Sequence, residues 1–169
     1  MSKKNKVKKV LELFCGTQSV GKVCREQGWN VLSLDYEKKF NPTFCMDIMK
    51  FNYEQFEPGE FDIIWASPCC RLFSILQYSW IGRKWKDRDE LIAARKNDEK
   101  YVICDYCRFG YDYQKPTRFL TNRKLDNKTC NCESKKHKIN LGNGPSKTSL
   151  KQRYSIPPDC IKYLLSIKS

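Results

Sequence analysis

"VKKVLELFCGTQSVGKVCREQGWNVLSLD", residues 7–35, decides the fold. Residues 7–14 are dominated by β-branched and aliphatic side chains and read as a strand. "CGT" breaks it. In "QSVGKVCREQG" Val20, Val23 and Cys24 recur at helical spacing, and Gly28 stops the pattern. "NVLSLD" is a short second strand ending at Asp35. Strand, helix and strand in this order predict a βαβ unit, and therefore a parallel sheet with ligands at the carboxyl ends of its strands. "PTFCMDI" is a weaker third strand ending near Asp47, and "FDIIWAS" is a fourth.

The turn after the first strand is a candidate site. Gly16 lets backbone pass close to a ligand, and the following helix offers free N–H groups at its N-terminus. An ordinary tight turn is the competing reading of one glycine. Asp35 sharpens the case, because it ends the second strand 19 residues after Gly16. A carboxylate there can take both hydroxyls of a ribose. Asp47-Ile48 ends the third strand, where an acid can reach an adenine amino group. Together these positions predict an adenosine-containing ligand across strands one to three.

The chain has 169 residues, 32 Lys plus Arg against 19 Asp plus Glu, and a net charge of +13. That length suits one domain with a small appendage. That charge attracts polyanions, nucleic acid first and an acidic membrane surface second. No run of eighteen apolar residues exists, so a membrane span is not expected. The lysine-rich "MSKKNKVKKV" lacks the apolar stretch of a secretory signal, so an intracellular, non-secreted protein is expected, in cytoplasm or nucleus. The ten cysteines are then read as reduced thiols, metal ligands or a catalytic thiol, not as a disulfide framework.

Further along, "RKWKDRDELIAARKNDEK" predicts a charged, solvated helix. "YVICDYCRFG" and "TRFLTN" read as two more strands joined by "YDYQKP". From Arg123 to Ser149 the chain turns polar. "IPPDCIKYLLSI" starts a helix at Pro-Pro, with Ile161, Leu164 and Leu165 on an apolar face. The expected organisation is a core over 1–122, a small basic Cys/His-containing loop or minimal recognition segment over 123–149, and a C-terminal helix over 150–169 that packs back on the core.

Four stretches in order, "LELFCGTQSVG", "LDYE", "MDI" and "FDIIWASPCCRLFS", resemble the cofactor and catalytic motifs of DNA cytosine-5 methyltransferases, in the compact form found in phages and large DNA viruses. Glu12, Leu13, Phe14 and Gly16 match the first motif, while Gln18 replaces its second glycine. "YQKPTRF" resembles a Gln-x-Arg-x-Arg motif through Gln114 and Arg118, with Pro116 where the first arginine is expected. "RYSIPPDCIKYLL" resembles the C-terminal motif, without its usual Gly-Asn. The resemblance implies an α/β, Rossmann-like S-adenosylmethionine-dependent methyltransferase fold with a mostly parallel sheet. It implies S-adenosylmethionine bound by Phe14, Gly16, Thr17, Asp35, Tyr36, Asp47 and Ile48. It also implies double-stranded DNA as partner, with the target cytosine flipped out, and a monomer working away from membranes.

The adjacent thiols of "SPCC" need a register. The family's nucleophile lies three residues before Phe-Ser, which is Cys70 here, and the interval from Asp62 gives the same residue. Cys69 then takes the proline position. The rival register keeps Pro-Cys intact and makes Cys69 the nucleophile. By resemblance, Cys70 adds to C6 of cytosine and Arg118 holds the base's O2. A thiol suits this role because cytosine C5 is a poor nucleophile until C6 carries a sulfur.

The family's Glu-Asn strand, whose glutamate binds N3 of cytosine, has no counterpart: the chain contains no Glu-Asn dipeptide. The 26 residues between Ser74 and Tyr101 are fewer than the roughly 30 that a helix, a strand and a helix need, so the sheet is expected to be one strand short. Glu90 and Glu99 are the local substitutes, though both sit in charge runs. Two rivals to an active enzyme follow: a non-catalytic, basic DNA-binding remnant, and a tRNA cytosine-5 methyltransferase.

"CDYC" at 104–107, "CNC" at 130–132 and the single histidine, His137, have zinc-like spacings. Within a strand, residues i and i+3 face opposite ways, which argues against Cys104 and Cys107 sharing an ion. Cys107, Cys130, Cys132 and His137 form the alternative set, and no metal is assigned at this stage. Residues 108–138 hold nine Lys or Arg against three Asp or Glu, the composition of a phosphate-gripping segment.

Overall fold

The computed structural model describes residues 7–68, 101–132, 137 and 154–167. The chain divides into two compact units, 1–69 with 151–169, and 70–150. The expected boundaries stood at 122 and 149; the units divide instead after 69 and after 150.

The first unit is built on a parallel sheet. Its strands are β1 (Lys9–Leu13), β2 (Asn30–Asp35), β3 (Phe44–Cys45) and β4 (Ile63–Ala66), in the spatial order β3-β2-β1-β4. Val10 lies opposite Val31 on one side and Ile63 on the other, and Leu13 lies opposite Leu34 and Ala66. The order reverses direction between β1 and β4, which is where open α/β sheets bind ligands. This arrangement is compatible with a Rossmann-like sheet.

Alternation along the strands fills two faces. Val10 and Val31 point to the face covered by α1 (Ser19–Glu26) and α2 (Pro158–Leu165). There they pack with Val20, Val23, Cys24, Ile161 and Leu165. Leu11 and Leu34 point the other way, onto Phe51, with Phe44, Phe56 and Phe61 around it. Those four rings meet tilted or edge-on at centroid distances of 4.9–6.4 Å, as aromatic quadrupoles prefer. Helix α2 starts with Pro158, whose missing N–H costs nothing in the first turn.

Two expected strands end early. The first stops at Leu13, because Phe14 turns to φ 54°. The third shrinks to Phe44–Cys45. Just beyond it, the Asp47 carboxylate accepts a hydrogen bond from the Met49 N–H at 2.9 Å and caps a 3-10 turn over Ile48–Lys50. A short polar side chain that bonds local backbone competes with the sheet ladder.

The second unit contains an antiparallel pair, β5 (Tyr101–Asp105) and β6 (Pro116–Leu120), in register Ile103 with Arg118. Residues 127–130 run beside β5. Lys128 accepts from the Asp105 N–H at 2.9 Å and donates to the Ile103 carbonyl at 2.8 Å. The Asn127 side chain accepts from the Ile103 N–H at 2.8 Å. The helix expected over 83–100 and the strand expected to be missing between Ser74 and Tyr101 lie outside the described residues. Among the described residues, no helix is long and apolar enough to cross a membrane.

Candidate functional site at the strand ends

The ends of β1, β2 and β3 stand side by side, so the residues that follow them gather at one edge of the sheet. After β1 the chain makes a tight turn: Phe14, Gly16 and Gln18 all have positive φ, at 54°, 48° and 55°. Such angles cost an ordinary residue about a kilocalorie or more and cost glycine little. The Cys15 N–H donates to the Leu34 carbonyl at 3.1 Å, which holds the turn against β2. Among the described residues, a Cβ on Gly16 would meet nothing within 4 Å, so they leave the space in front of this glycine open.

Asp35 is buried and ties the two loops together. Its Oδ2 accepts the Gly16 N–H at 2.9 Å, and its Oδ1 accepts the Glu37 N–H at 2.9 Å. Each carboxylate oxygen keeps a second acceptor site. Asp35, expected at a ligand's ribose, also fixes the turn that carries Gly16. Tyr36, next along, is 71 % exposed. Thr17 and Ser19 share a hydroxyl–hydroxyl bond of 3.0 Å at the start of α1. Asp47 is exposed beyond β3, and Ile48 packs against the Phe51 cluster.

Glu12 lies under this turn and is almost fully buried. Its Oε2 accepts the Gly21 N–H at 3.0 Å, so it caps the open amides of α1 from below. Burial pushes its carboxyl up to about 7, against the pull of the Gly21 and Val20 amides and of Arg25 and Lys22. Burial likewise pushes the Cys15 thiol up to about 11, with Glu12 and Asp35 adding to it, so Cys15 is a packing thiol rather than a nucleophile.

Sequence reasoning missed Gln18. Its Nε2 donates to the carbonyls of Phe40 at 2.7 Å and Asn41 at 3.0 Å. The available signal was its position, a glutamine where the motif has glycine.

The fourth strand leads into "SPCC". The Ser67 N–H donates to the Leu13 carbonyl at 3.0 Å, so β4 ends beside the Gly16 turn and Pro68 follows. Cys69 and Cys70 lie outside the described residues, as do Glu90 and Glu99.

In the second unit, Arg118 is exposed on β6 with its guanidinium 4.6 Å from the Tyr101 ring centroid. The structure also assembles a group there. Strand β5 stops at Asp105, and Cys107 sits in a 3-10 turn over Tyr106–Phe109. The strand argument that set Cys104 and Cys107 against each other therefore does not reach Cys107. Cys104 is buried in the core, whereas Cys107, Cys130, Cys132 and His137 bring one ligand atom each within 4.8 Å of one another.

The described residues form a parallel α/β sheet whose glycine turn is bonded to an acid on the next strand. Comparison with curated proteins finds a probable DNA (cytosine-5)-methyltransferase of Frog virus 3 (isolate Goorha), 27 % identical over 215 residues, covering 94 % of this chain and 99 % of that protein. With the four motifs in order and this relative along nearly its whole length, the chain is similar to DNA cytosine-5 methyltransferases. The alignment is longer than the 169 residues of this chain, so the relative carries positions without a counterpart here. No family profile and no solved structure matches the chain.

Proposed function

We propose that this chain is an S-adenosylmethionine-dependent methyltransferase of Rossmann-like fold that acts on C5 of cytosine in double-stranded DNA. The observation that carries the reading is the Gly16–Asp35 bond, which joins the glycine turn to the acid of the next strand at the edge where such a cofactor would lie. The probable methyltransferase of Frog virus 3 supports the reaction.

The residues present fit the cofactor. Among the described residues, space is open at Gly16, Asp35 keeps acceptor sites for ribose hydroxyls, and Tyr36 offers an exposed ring. Phe14, Thr17 and Ile48 would line the same edge, and Asp47 would take an amino group. When bound, the cofactor supplies a methyl group on a positively charged sulfur. Cys70 is the proposed nucleophile: its thiolate would bond to C6, the displaced π electrons would make C5 nucleophilic towards the methyl group, and loss of the C5 proton to a base would then expel the thiolate. Arg118 is the proposed holder of the base. The base must leave the duplex to be reached.

The absent Glu-Asn carboxylate favours a second reading, a basic remnant that binds DNA without turnover. Loss of such a group costs about 10²- to 10⁴-fold in rate. Two measurements decide. Calorimetry should show S-adenosylhomocysteine binding, weakened by Asp35→Ala; no binding at millimolar ligand would overturn the pocket. DNA carrying 5-fluorocytosine should trap the protein slowly, with the adduct lost in Cys70→Ser and kept in Cys69→Ser. Cofactor binding without any adduct would leave the remnant. Trapping on a 5-fluorocytosine tRNA instead of DNA would move the substrate to RNA.

A further inference from the structure

We propose that Cys107, Cys130, Cys132 and His137 form a structural zinc site that clamps the basic segment of the second unit. The inference is independent of the methyltransferase reading.

The geometry is close to that of a filled site. The four ligand atoms lie within 4.8 Å of one another, and Cys130 Sγ is 3.5 Å from His137 Nε2. Zinc–sulfur bonds of about 2.3 Å and zinc–nitrogen bonds of about 2.0 Å put tetrahedral ligand atoms roughly 3.5–3.8 Å apart. The set needs to contract by about an ångström or less to hold the ion. Three thiolates and one imidazole fill the coordination sphere, which is the closed pattern of a structural site.

Hydrogen bonds from backbone amides and side chains form the scaffold around the set. The Cys130 N–H donates to Asp105 Oδ2 at 2.7 Å, which fixes the start of "CNC" against the end of β5. The Cys132 N–H points back at Cys130 Sγ at 3.4 Å, an amide-to-sulfur contact that favours a thiolate. Arg108 donates to the Asn131 side chain and closes the turn from the Cys107 side. Asp105 is buried, and among the described residues its Oδ1 has no hydrogen-bond partner.

A bound ion would add to the stability of this unit. Its buried apolar residues, among those described, are Val102, Cys104, Tyr106 and Tyr113. Bound metal turns binding free energy into folding free energy. Binding deprotonates the thiols, so up to three protons leave as the ion enters.

The test uses the full chain purified without chelator. Mass spectrometry for metals should find one zinc per chain. Cys130→Ser and His137→Ala should lose most of it, and Cys45→Ser, an exposed thiol in the other unit, should retain it. In case a variant fails to fold, the unaltered chain is stripped and reloaded with Co²⁺. Tetrahedral d–d absorption with thiolate-to-cobalt charge transfer of three-sulfur intensity is expected. No zinc together with no cobalt uptake would overturn the proposal. So would cobalt bound without thiolate charge transfer, or zinc content unchanged in Cys130→Ser.

Discussion

The Gln18 side chain donates to the Phe40 carbonyl at 2.7 Å, across 22 residues of sequence, from a backbone held at φ 55°. Glutamine here adopts a conformation suited to glycine and, in return, ties the first loop to the turn after β2. Gln18→Ala loses the bonds and keeps the strain, so it should destabilise the chain by about 2 kcal/mol; Gln18→Gly loses the bonds but relaxes the backbone, and should cost about 1 kcal/mol. Urea unfolding measures both. An alanine variant as stable as the glycine variant would show that the backbone is not strained.

Gly21 is required by Glu12. A Cβ at this helical position would lie 2.5 Å from Glu12 Oε2 and 3.0 Å from Arg25 Nη1. Alanine gains about 1 kcal/mol of helix propensity over glycine, yet Gly21→Ala should be destabilising by roughly 1–3 kcal/mol. Combined with Glu12→Ala, the same change should become neutral or favourable. A double-mutant cycle reads this coupling directly, and purely additive effects would reject it.

Glu12 also makes stability depend on pH. Its carboxyl is raised from 4.5 in the unfolded chain to about 7 in the fold, so the fold holds a proton there that the unfolded chain has released. Its contribution is therefore most favourable below about pH 4.5, declines as pH rises towards 7, and is constant above that. The whole decline is roughly 3 kcal/mol. The difference in unfolding free energy between the unaltered chain and Glu12→Gln, followed from pH 4.5 to 7.5, should fall with pH. A difference that is flat or rising would refute the raised carboxyl.

The net charge of +13 predicts a DNA affinity that drops steeply with salt. Each neutralised phosphate contributes about 0.9 to the slope of log K against log salt, so several contacts cost on the order of a hundredfold or more between about 50 and 200 mM. Fluorescence anisotropy at stepped salt gives the slope. An affinity unchanged over that range would mean that charge does not drive the contact.

The βαβ unit was legible because Val10, Val20, Val23 and Val31 carry plain periodic signals, and because Asp35 sits at a strand end that hydrophobic pattern alone locates. The Gly16–Asp35 pairing could be anticipated as proximity but not as a bond, since nothing in sequence says that the carboxylate turns back onto the loop. The extent of β3 was hidden by Asp47, whose local bond to Met49 outcompetes the ladder. The thiol cluster was obscured for a similar reason. "YVICDYC" reads as one continuous strand, and the change to a 3-10 turn after Asp105 depends on contacts with residues 128–130, more than twenty positions away.

The first unit is discontinuous in sequence, since residues 70–150 intervene between β4 and α2. During synthesis the ribosome delivers the sheet and α1 long before Ile161 and Leu165 emerge. Until then Val20, Val23 and Cys24 have no α2 to cover them. Closing a flexible loop of that length costs roughly 4 kcal/mol in chain entropy, less if the intervening unit has already collapsed and drawn its ends together. Collapse of the interrupting unit before α2 docks would therefore lower the entropy cost of completing the sheet's covered face.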